Sequence, residues 1–311
     1  MEMTTIGGHL KISGIGLGCA TFGREIDEAA AHRLLDHAVA KGITFFDTAA
    51  SYGEGVSESI VGAWLASRRP SAGSLTLATK IMPPYLPARM AEAVDGCLRR
   101  LRVPAIDVLY LHRWDATAES PAALAALDTF ARAGKVRLLG ACNCTRRELG
   151  TALALQSRLR LERFRVAQNN HNLAVSDLSP EFRSFCAEQG VALVTYSPLG
   201  SGFLTGKHRH GVQPGSRFDR VPGHQSIYFR DEVRRRLGWL ERVAARAGQN
   251  QTRLALAWAL HQPDVASVLI GGRVPAHIDQ AFAALALDDP ALFAELDAGP
   301  APHDGGNPQG G

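Results

Sequence analysis

The sequence predicts an α/β fold, a (β/α)8 (TIM) barrel formed by a single domain. Eight short apolar runs rich in β-branched residues alternate with eight longer segments of helical period along the 311-residue chain. This alternation is typical of a parallel barrel in which a helix follows each strand. The runs VLYL (108–111) and VALVTY (191–196) are almost continuously apolar, as expected for strands that are buried on both faces.

The individual elements follow from these runs in chain order. The apolar runs place the strands at 15–18, 43–47, 75–79, 107–112, 136–141, 165–168, 191–196 and 267–270. The segments of helical period place the helices at 27–41, 57–69, 87–102, 120–134, 145–157, 178–189, 230–247 and 275–286. Asp27 and Ser57 are predicted N-caps, because their side chains can accept hydrogen bonds from the first helical turn. Gly42, Gly134 and Gly190 are predicted left-handed residues at helix C-termini.

Some segments lie outside the strand–helix repeat. Residues 3–13 are predicted to form a hairpin that closes the bottom of the barrel, and residues 251–261 to form an additional helix. Residues 200–229 are rich in Gly, Pro and His, which predicts a long loop on the active face. The barrel is expected to span 1–298, and the Gly- and Pro-rich tail 299–311 is expected to be disordered.

The composition argues against several classes of protein. Hydrophobic residues make up 46% of the chain and charged residues 21%, as in globular proteins. No apolar run approaches the roughly 18–20 residues that cross a bilayer, so we expect no membrane partner. Five scattered cysteines and a start without a signal-peptide pattern favour a cytoplasmic location. The net charge is +4, and the 34 basic residues include only five lysines, so 29 dispersed arginines remain, which predicts no nucleic-acid partner.

Polar residues close the predicted strands at the end where barrels of this kind build their active sites. Each one alone is more commonly an ordinary rim residue. Together they predict a site at one mouth of the barrel. The residues at or just after the strand ends are Asp47, Tyr52, Lys80, His112, Asn143, Gln168 and Tyr196.

Four of these residues form a chemically coherent set. The phenol of Tyr52 is a weak acid near pKa 10, and the ammonium of Lys80 is expected to lower that pKa. The carboxylate of Asp47 would keep the ammonium charged and placed, and His112 would hold the oxygen that the phenol protonates. This is an acid–base device for a carbonyl/alcohol pair. It lacks a hydride source, which implies a nicotinamide cofactor. The sequence supplies no set of metal ligands, so no metal is expected.

The motifs DTAASYGEGVSE, LATK, DVLYLH, AGKVRLLGACN, VAQ and YSPLGSGFLTGK resemble, in this order and spacing, those of the aldo-keto reductases. The resemblance extends from about Gly14 to Leu287. It is strongest to the longer bacterial type, which is related to potassium-channel β-subunits. It implies a (β/α)8 barrel with Tyr52 as general acid and His112 orienting the substrate. Lys80 and Asp47 would be the pair that tunes the phenol.

The resemblance also implies a set of residues for NADP(H), with NAD(H) left open. Asn143 and Gln168 would hold the carboxamide of the nicotinamide, and Tyr196 would stack on its ring. The 200–229 loop would cover the cofactor, and Gly18 would let the backbone of the first barrel strand approach it. The pyrophosphate would be lined by Ser197, Leu199, Gly200 and Ser201. Lys207 and Arg217 would face phosphate groups. The adenosine end would be bound by Gly271, Arg273 and Gln280.

The sequence departs from the family pattern at particular positions. Cys142 replaces the Ser that commonly precedes the Asn of the fifth strand, and Gln168 is followed by Asn-Asn-His. Gln280-Ala281 replaces a Glu-Asn pair in the last helix of the repeat. The walls of the substrate pocket are predicted from the aromatic residues of the active face, namely Phe22, Tyr85, Trp114 and Tyr228.

The predicted function is therefore an NADP(H)-dependent oxidoreductase that interconverts a small aldehyde or ketone and an alcohol. Two alternatives stay open. One is an NAD-dependent aldose or sugar dehydrogenase, and the other is a cofactor-sensing regulatory subunit. A Rossmann domain at GIGLG (14–18) is disfavoured, because Thr21 occupies the position that the third glycine of that motif requires.

Overall fold

The computed structural model describes residues 2–71 and 73–300 and contains a closed barrel of eight parallel strands. The barrel strands are β3 (Ile15–Gly18), β4 (Phe45–Asp47), β5 (Thr76–Ile81), β6 (Ile106–Leu111), β7 (Val136–Cys142), β8 (Phe164–Asn170), β9 (Ala192–Tyr196) and β10 (Val265–Gly271). Their order around the barrel is β10-β3-β4-β5-β6-β7-β8-β9, which confirms the predicted (β/α)8 barrel.

The described part of the chain contains twelve α-helices. Asp27 caps the first of them by accepting a hydrogen bond from the Ala30 amide, and Gly190 ends the sixth in the left-handed conformation. The helices are α1 (Glu28–Ala40), α2 (Val56–Arg68), α3 (Pro87–Leu101), α4 (Pro121–Arg132), α5 (Arg146–Leu159), α6 (Pro180–Gln189), α7 (Arg217–Arg220), α8 (Gln225–Tyr228), α9 (Asp231–Arg246), α10 (Gln251–Leu260), α11 (Pro275–Ala284) and α12 (Pro290–Ala298).

The chain divides into two compact units. The described residues of 1–171, 176–198 and 262–282 form the first unit, which contains every strand listed above. The described residues of 172–175, 199–261 and 283–311 form the second. Residues 301–311 of the predicted tail lie outside the part of the chain that the structure describes. Among the described residues, no helix is both long and apolar enough to cross a bilayer.

The interior of the barrel is filled by alternate residues of its strands. The predicted hairpin forms from β1 (Met3–Ile6) and β2 (Leu10–Ser13), which pair antiparallel. It contributes Ile6, Leu10 and Ile12 to the same buried cluster as Phe45 and Val108. The hairpin therefore packs into the barrel core, and its apolar side chains join the interior layers that hold the strands together.

The second unit has its own apolar core, built from α9, α10, α12 and the aromatic residues of the 200–229 segment. The sequence predicts a loop there, but the structure places short helical turns at Gly200–Thr205, Pro222–His224, α7 and α8. Phe203, Phe218 and Tyr228 pack ring against ring and are almost fully buried. The sequence predicts a loop here because turns of three to six residues are too short to show helical periodicity. The packing of the aromatic side chains orders this segment.

Gly140 of β7 illustrates how tightly the barrel interior is packed. A Cβ atom at this position would lie 2.4 Å from Cδ1 of the Tyr110 ring. We expect Gly140→Ala to lower the free energy of unfolding by about 1–3 kcal/mol, the usual cost of overpacking a core. Urea denaturation measures the loss. The double variant Gly140→Ala/Tyr110→Leu should recover much of it, and additive losses would contradict this account of the packing.

Candidate active site

Lys80 and Asp47 form a buried ion pair at the mouth of the barrel. Asp47 ends β4 and Lys80 lies near the end of β5, and the two side chains are 2% and 0% exposed. The Lys80 ammonium donates hydrogen bonds to Asp47 Oδ1 and, at 3.0 Å, to the Thr48 carbonyl oxygen. The second carboxylate oxygen of Asp47 accepts from Gln168 Nε2 at 2.8 Å. The pair is thus held by strands from opposite sides of the barrel.

The charges of this pair stabilise each other. Burial is the largest single effect and disfavours the ammonium of Lys80, but the charge and hydrogen bond of Asp47, together with Tyr52 and Cys142, outweigh it and raise the pKa of Lys80. Burial likewise raises the pKa of Asp47, while Lys80 and the Gln168 amide act in the opposite direction. The raised pKa of Lys80 leaves its ammonium charged at neutral pH.

Tyr52 lies beside this ammonium on a short 3₁₀ turn, Tyr52–Gly55, that follows β4. The Lys80 Nζ atom is 5.2 Å from the centre of the Tyr52 ring. Burial raises the pKa of Tyr52 to about 12, and Lys80 lowers it while Asp47 raises it. The expected effect of Lys80 on the phenol is therefore present but smaller than the effect of desolvation. The phenol is protonated at neutral pH, the form that a proton donor needs.

His112 directly follows β6, and its backbone amide donates to the Ile81 carbonyl at 2.9 Å. Its ring meets the Tyr52 ring edge to face, with 5.6 Å between centres, and Nδ1 lies 3.2 Å from Ser51 Oγ. Burial, then the charges of Lys80 and Arg113, lower the pKa of His112 to about 3. A neutral imidazole at pH 7 can orient and polarise an oxygen by hydrogen bonding, but it is not a proton reservoir there.

The three remaining strand-end residues join this group. Asn143 adopts a left-handed conformation with φ of 56°, which asparagine tolerates better than most residues. Its Nδ2 donates to the His112 carbonyl at 3.0 Å, and its Oδ1 accepts from the Tyr196 hydroxyl. Its backbone amide donates to the carbonyl oxygen of Gln168 at 3.0 Å. The structure thus brings together all seven residues that the sequence places at the strand ends.

Cys142 is the neighbour of this group that departs from the family pattern. The thiol is buried, and its Sγ lies 3.7 Å from Gln168 Oε1 and 3.2 Å from Asn143 Nδ2. Burial raises the pKa of Cys142 to about 12. The thiol is therefore neutral and acts as a weak hydrogen-bonding group between the two amides.

Of the other cofactor residues predicted in the first unit, Gly18, Ser197, Gly271 and Arg273 lie at or just after strand ends, and Gln280 lies within α11. Gly18 ends β3 beside β10, and a Cβ there would be 3.5 Å from the Ile270 carbonyl oxygen. Ser197 follows β9 with φ of 58°. Gly271 is exposed, and nothing lies within 4 Å of where its Cβ would be. Arg273 and Gln280 are also exposed.

The cofactor residues predicted in the second unit cluster on one turn and the helix after it. Leu199 precedes the Gly200–Thr205 turn, and Ser201 has a positive φ of 57°. A Cβ at Gly200 would lie 2.7 Å from the Tyr228 ring, and one at Gly202 would lie 3.1 Å from Cε of Lys207. Arg217 is the first residue of α7. Their role stays a prediction.

The aromatic residues predicted to wall the substrate pocket make packing contacts in the structure, and their role in a pocket stays a prediction. Phe22 and Tyr85 are fully buried, and Tyr85 donates from its hydroxyl to the Arg113 carbonyl at 2.6 Å. Tyr228 belongs to the core of the second unit. Trp114 packs edge-on against Phe164, which begins β8, whereas Gln168 lies near the other end of that strand. The indole N–H of Trp114 donates to Glu119.

Tyr110 and the first turn of α2 are features that the sequence does not single out as functional. Tyr110 lies beneath Lys80, with 5.8 Å between Nζ and the ring centre, and its buried hydroxyl has no hydrogen-bond partner among the described residues. Its position two residues before His112 is the sequence signal that could have identified Tyr110, because alternate residues of a strand share a face.

Ser57 is not an N-cap as predicted, because α2 begins at Val56 and Gly55 occupies the cap position.

Comparison with known proteins gives a consistent result. Residues 14–297 match the family described as "Aldo/keto reductase family". The chain is 29% identical to "Protein tas" of Escherichia coli over 93% of this chain and 94% of that protein. It is 28% identical to the "Probable voltage-gated potassium channel subunit beta" of Arabidopsis thaliana over 87% of each chain. It is 27% identical to "Aldo-keto reductase yakc [NADP(+)]" of Schizosaccharomyces pombe over 89% and 85% of the two chains.

The lowered pKa of His112 gives a prediction that needs no substrate. An ordinary histidine is mostly protonated at pH 5, whereas His112, with a pKa of about 3, should stay neutral. Nitrogen-15 NMR of histidine-labelled protein should show a neutral imidazole at pH 5 that disappears in His112→Asn. A His112 signal that titrates near pH 6.5 would contradict the desolvated environment described here.

Proposed function

The chain belongs to the aldo/keto reductase family, and on that premise we propose that it is an NADP(H)-dependent oxidoreductase. It interconverts a small-molecule aldehyde or ketone and the corresponding alcohol, with Tyr52 as the general acid and base. The observation that carries this proposal is the position of the Tyr52 ring beside both the Lys80 ammonium, at 5.2 Å, and the His112 imidazole, at 5.6 Å. The raised pKa of Tyr52 supplies the protonated form that a general acid needs. In the proposed reaction, these three groups would surround the carbonyl oxygen on which negative charge develops.

The residues near the barrel mouth are chemically suited to a nicotinamide nucleotide. The side-chain amides of Asn143 and Gln168 would hold the carboxamide by hydrogen bonds, and Tyr196 offers an aromatic face at the end of β9. The open space over Gly271 suits the approach of a ligand to the backbone. When bound, such a cofactor supplies or accepts the hydride that the phenol and imidazole cannot.

The protein residues then complete the reduction of the carbonyl. His112 donates a hydrogen bond to the carbonyl oxygen and orients it, which requires one ring nitrogen to carry a proton in the neutral form. The Tyr52 hydroxyl transfers its proton to the same oxygen as negative charge builds there. Lys80 lies beside the phenolate that remains and stabilises it, and Asp47 balances the charge of Lys80. In the oxidation of the alcohol the same phenolate receives the proton.

Two observations bear on the alternative functions. The similarity to a protein named as a potassium channel β-subunit favours a second candidate, a cofactor-sensing regulatory subunit. Rapid turnover of aldehydes or ketones by the purified chain alone would decide for the enzyme. Arg273, which follows Gly271-Gly272, favours NADP(H) over NAD(H), because a guanidinium can bind two oxygens of the 2′-phosphate at once.

Removal of the Tyr52 hydroxyl tests the proposed acid. We expect Tyr52→Phe to lower kcat by about 10²–10⁴-fold, the usual contribution of general acid catalysis. Cofactor affinity should change by no more than about threefold, because the phenol acts on the substrate. The matched control is Tyr228→Phe, which removes a buried hydroxyl from the core of the second unit. A Tyr52→Phe variant that keeps more than a tenth of the wild-type kcat would contradict the role of Tyr52.

Substitution of Arg273 tests the preferred cofactor. We expect Arg273→Ala to weaken NADPH binding by about 1.5–3 kcal/mol, the range for a hydrogen bond to a charged group, and to leave NADH binding nearly unchanged. Fluorescence titration of both cofactors against both proteins gives the four dissociation constants. Equal losses for NADPH and NADH would mean that Arg273 contacts a group common to both, against the proposed NADP(H) preference.

A further inference from the structure

The first turn of α2 buries two polar side chains that the proposed reaction does not use. Ser57 and Glu58 are both 0% exposed, although they follow a solvent-exposed residue, Val56. An ionised carboxylate is costly to bury unless other groups pair with it. The partners of Glu58 and Ser57 therefore indicate what this turn holds in place.

Ser57 connects the chain segments that follow β3 and β4. Its hydroxyl donates to the Cys19 carbonyl at 2.8 Å and lies 2.8 Å from the Thr48 hydroxyl oxygen. The Cys19 amide donates to the Asp47 carbonyl at 2.8 Å, and the Thr48 carbonyl accepts from the Lys80 ammonium. Ser57 thus contacts the side chain of the residue whose backbone oxygen Lys80 binds.

Glu58 holds β5 on the outer side of the barrel. Its Oε1 accepts from the Thr79 hydroxyl at 2.5 Å, and its Oε2 accepts from Arg100 of α3 at 2.7 Å. Thr79 precedes Lys80 in the strand, and successive strand residues point to opposite faces. The anchor on Thr79 therefore sets the position of the strand residue from which the Lys80 side chain enters the barrel.

The sequence leaves space for the Arg100 side chain in this arrangement. A Cβ at Gly55 would lie 2.6 Å from Arg100 Nε, and one at Gly96 would lie 3.0 Å from Nη1. Both glycines thus border the guanidinium that neutralises Glu58. Gly55 also has φ of 90°, a conformation that only glycine adopts readily.

We propose that Ser57 and Glu58, here called the α2 clamp, are positioning residues for Lys80 in the reaction proposed above. The clamp joins the ends of β3 and β4 to β5 through three side-chain hydrogen bonds, and an ion pair connects it to Arg100 of α3. It thereby fixes the Lys80 ammonium against both Asp47 and the Tyr52 ring. Displacement of a catalytic group by about 1 Å can cost on the order of 10²-fold in rate, so a strand anchor can control catalysis without contact to substrate.

The test removes the anchor without removing a charge. Thr79→Val has nearly the same shape as the wild type and suits a buried strand, but it cannot donate to Glu58. We expect kcat to fall by about tenfold or more, with cofactor affinity unchanged, and Thr79→Ser to restore kcat. The matched control is Thr76→Val, which removes a buried hydroxyl from the other end of β5, where it donates to the Lys11 carbonyl.

A second readout does not depend on turnover. Acetic anhydride labelling followed by peptide mass spectrometry reports the accessibility of Lys80, with the more exposed Lys41 as internal reference. Lys80 should react slowly in the wild type, in Thr79→Ser and in Thr76→Val, and faster in Thr79→Val. This readout remains decisive if the wild type reduces no carbonyl, a result that would defeat the proposed function alone.

Two results would overturn the role of the clamp. One is a Thr79→Val variant with wild-type kcat and wild-type labelling of Lys80. The other is labelling of Lys80 that is equally fast in Thr79→Val and Thr76→Val, because that would indicate a general loosening of β5 and not the loss of a specific anchor.

Discussion

The buried ion pair between Lys80 and Asp47 is the interaction on which the rest of the site depends. Two charges inside a barrel are stable only when their partners and hydrogen bonds replace the water that they lose. The Thr48 carbonyl and the Gln168 amide supply these bonds here. The pair therefore requires that the carboxyl ends of several strands lie at the same height in the barrel. It places a fixed positive charge beside the phenol of Tyr52.

The competition between burial and charge decides the protonation states of the site. Burial raises the pKa of Tyr52 more than Lys80 lowers it, so the phenol holds its proton until one is required. The same ammonium and the same desolvation keep His112 neutral. A proton donor and a neutral hydrogen-bonding partner thus coexist within one site because burial favours the neutral form of both groups. It raises the pKa of the phenol and lowers the pKa of the imidazole.

The sequence was informative where a physical pattern is regular. Alternating runs predicted the eight barrel strands and most of the helices, and the rule that barrel sites lie at strand ends selected the seven polar residues that meet. Side-chain direction was harder to predict. Trp114 and Tyr85 follow strands on the active face, yet their rings turn into the packing between elements, and no local pattern encodes that choice.

Features that depend on tertiary contacts also could not be predicted from the sequence. Ser57 has the residue type of a helix cap, but α2 starts one residue earlier, at Val56, so Ser57 lies inside the helix. Its hydroxyl instead donates to the Cys19 carbonyl at the end of β3. The turns of the 200–229 segment are too short for periodicity and are ordered by aromatic packing. Tyr110 fills a space that exists only because Gly140 lies on the neighbouring strand.

A double-mutant cycle on the ion pair tests the central claim most directly. Urea denaturation would give the free energies of unfolding of Asp47→Asn, Lys80→Met and the double variant. Because a single substitution leaves one buried charge unpaired, each should cost about 3–5 kcal/mol, and the double variant should lose much less than the sum. Additive losses, or single losses below about 1 kcal/mol, would show that the two groups are not coupled as described and would contradict the account.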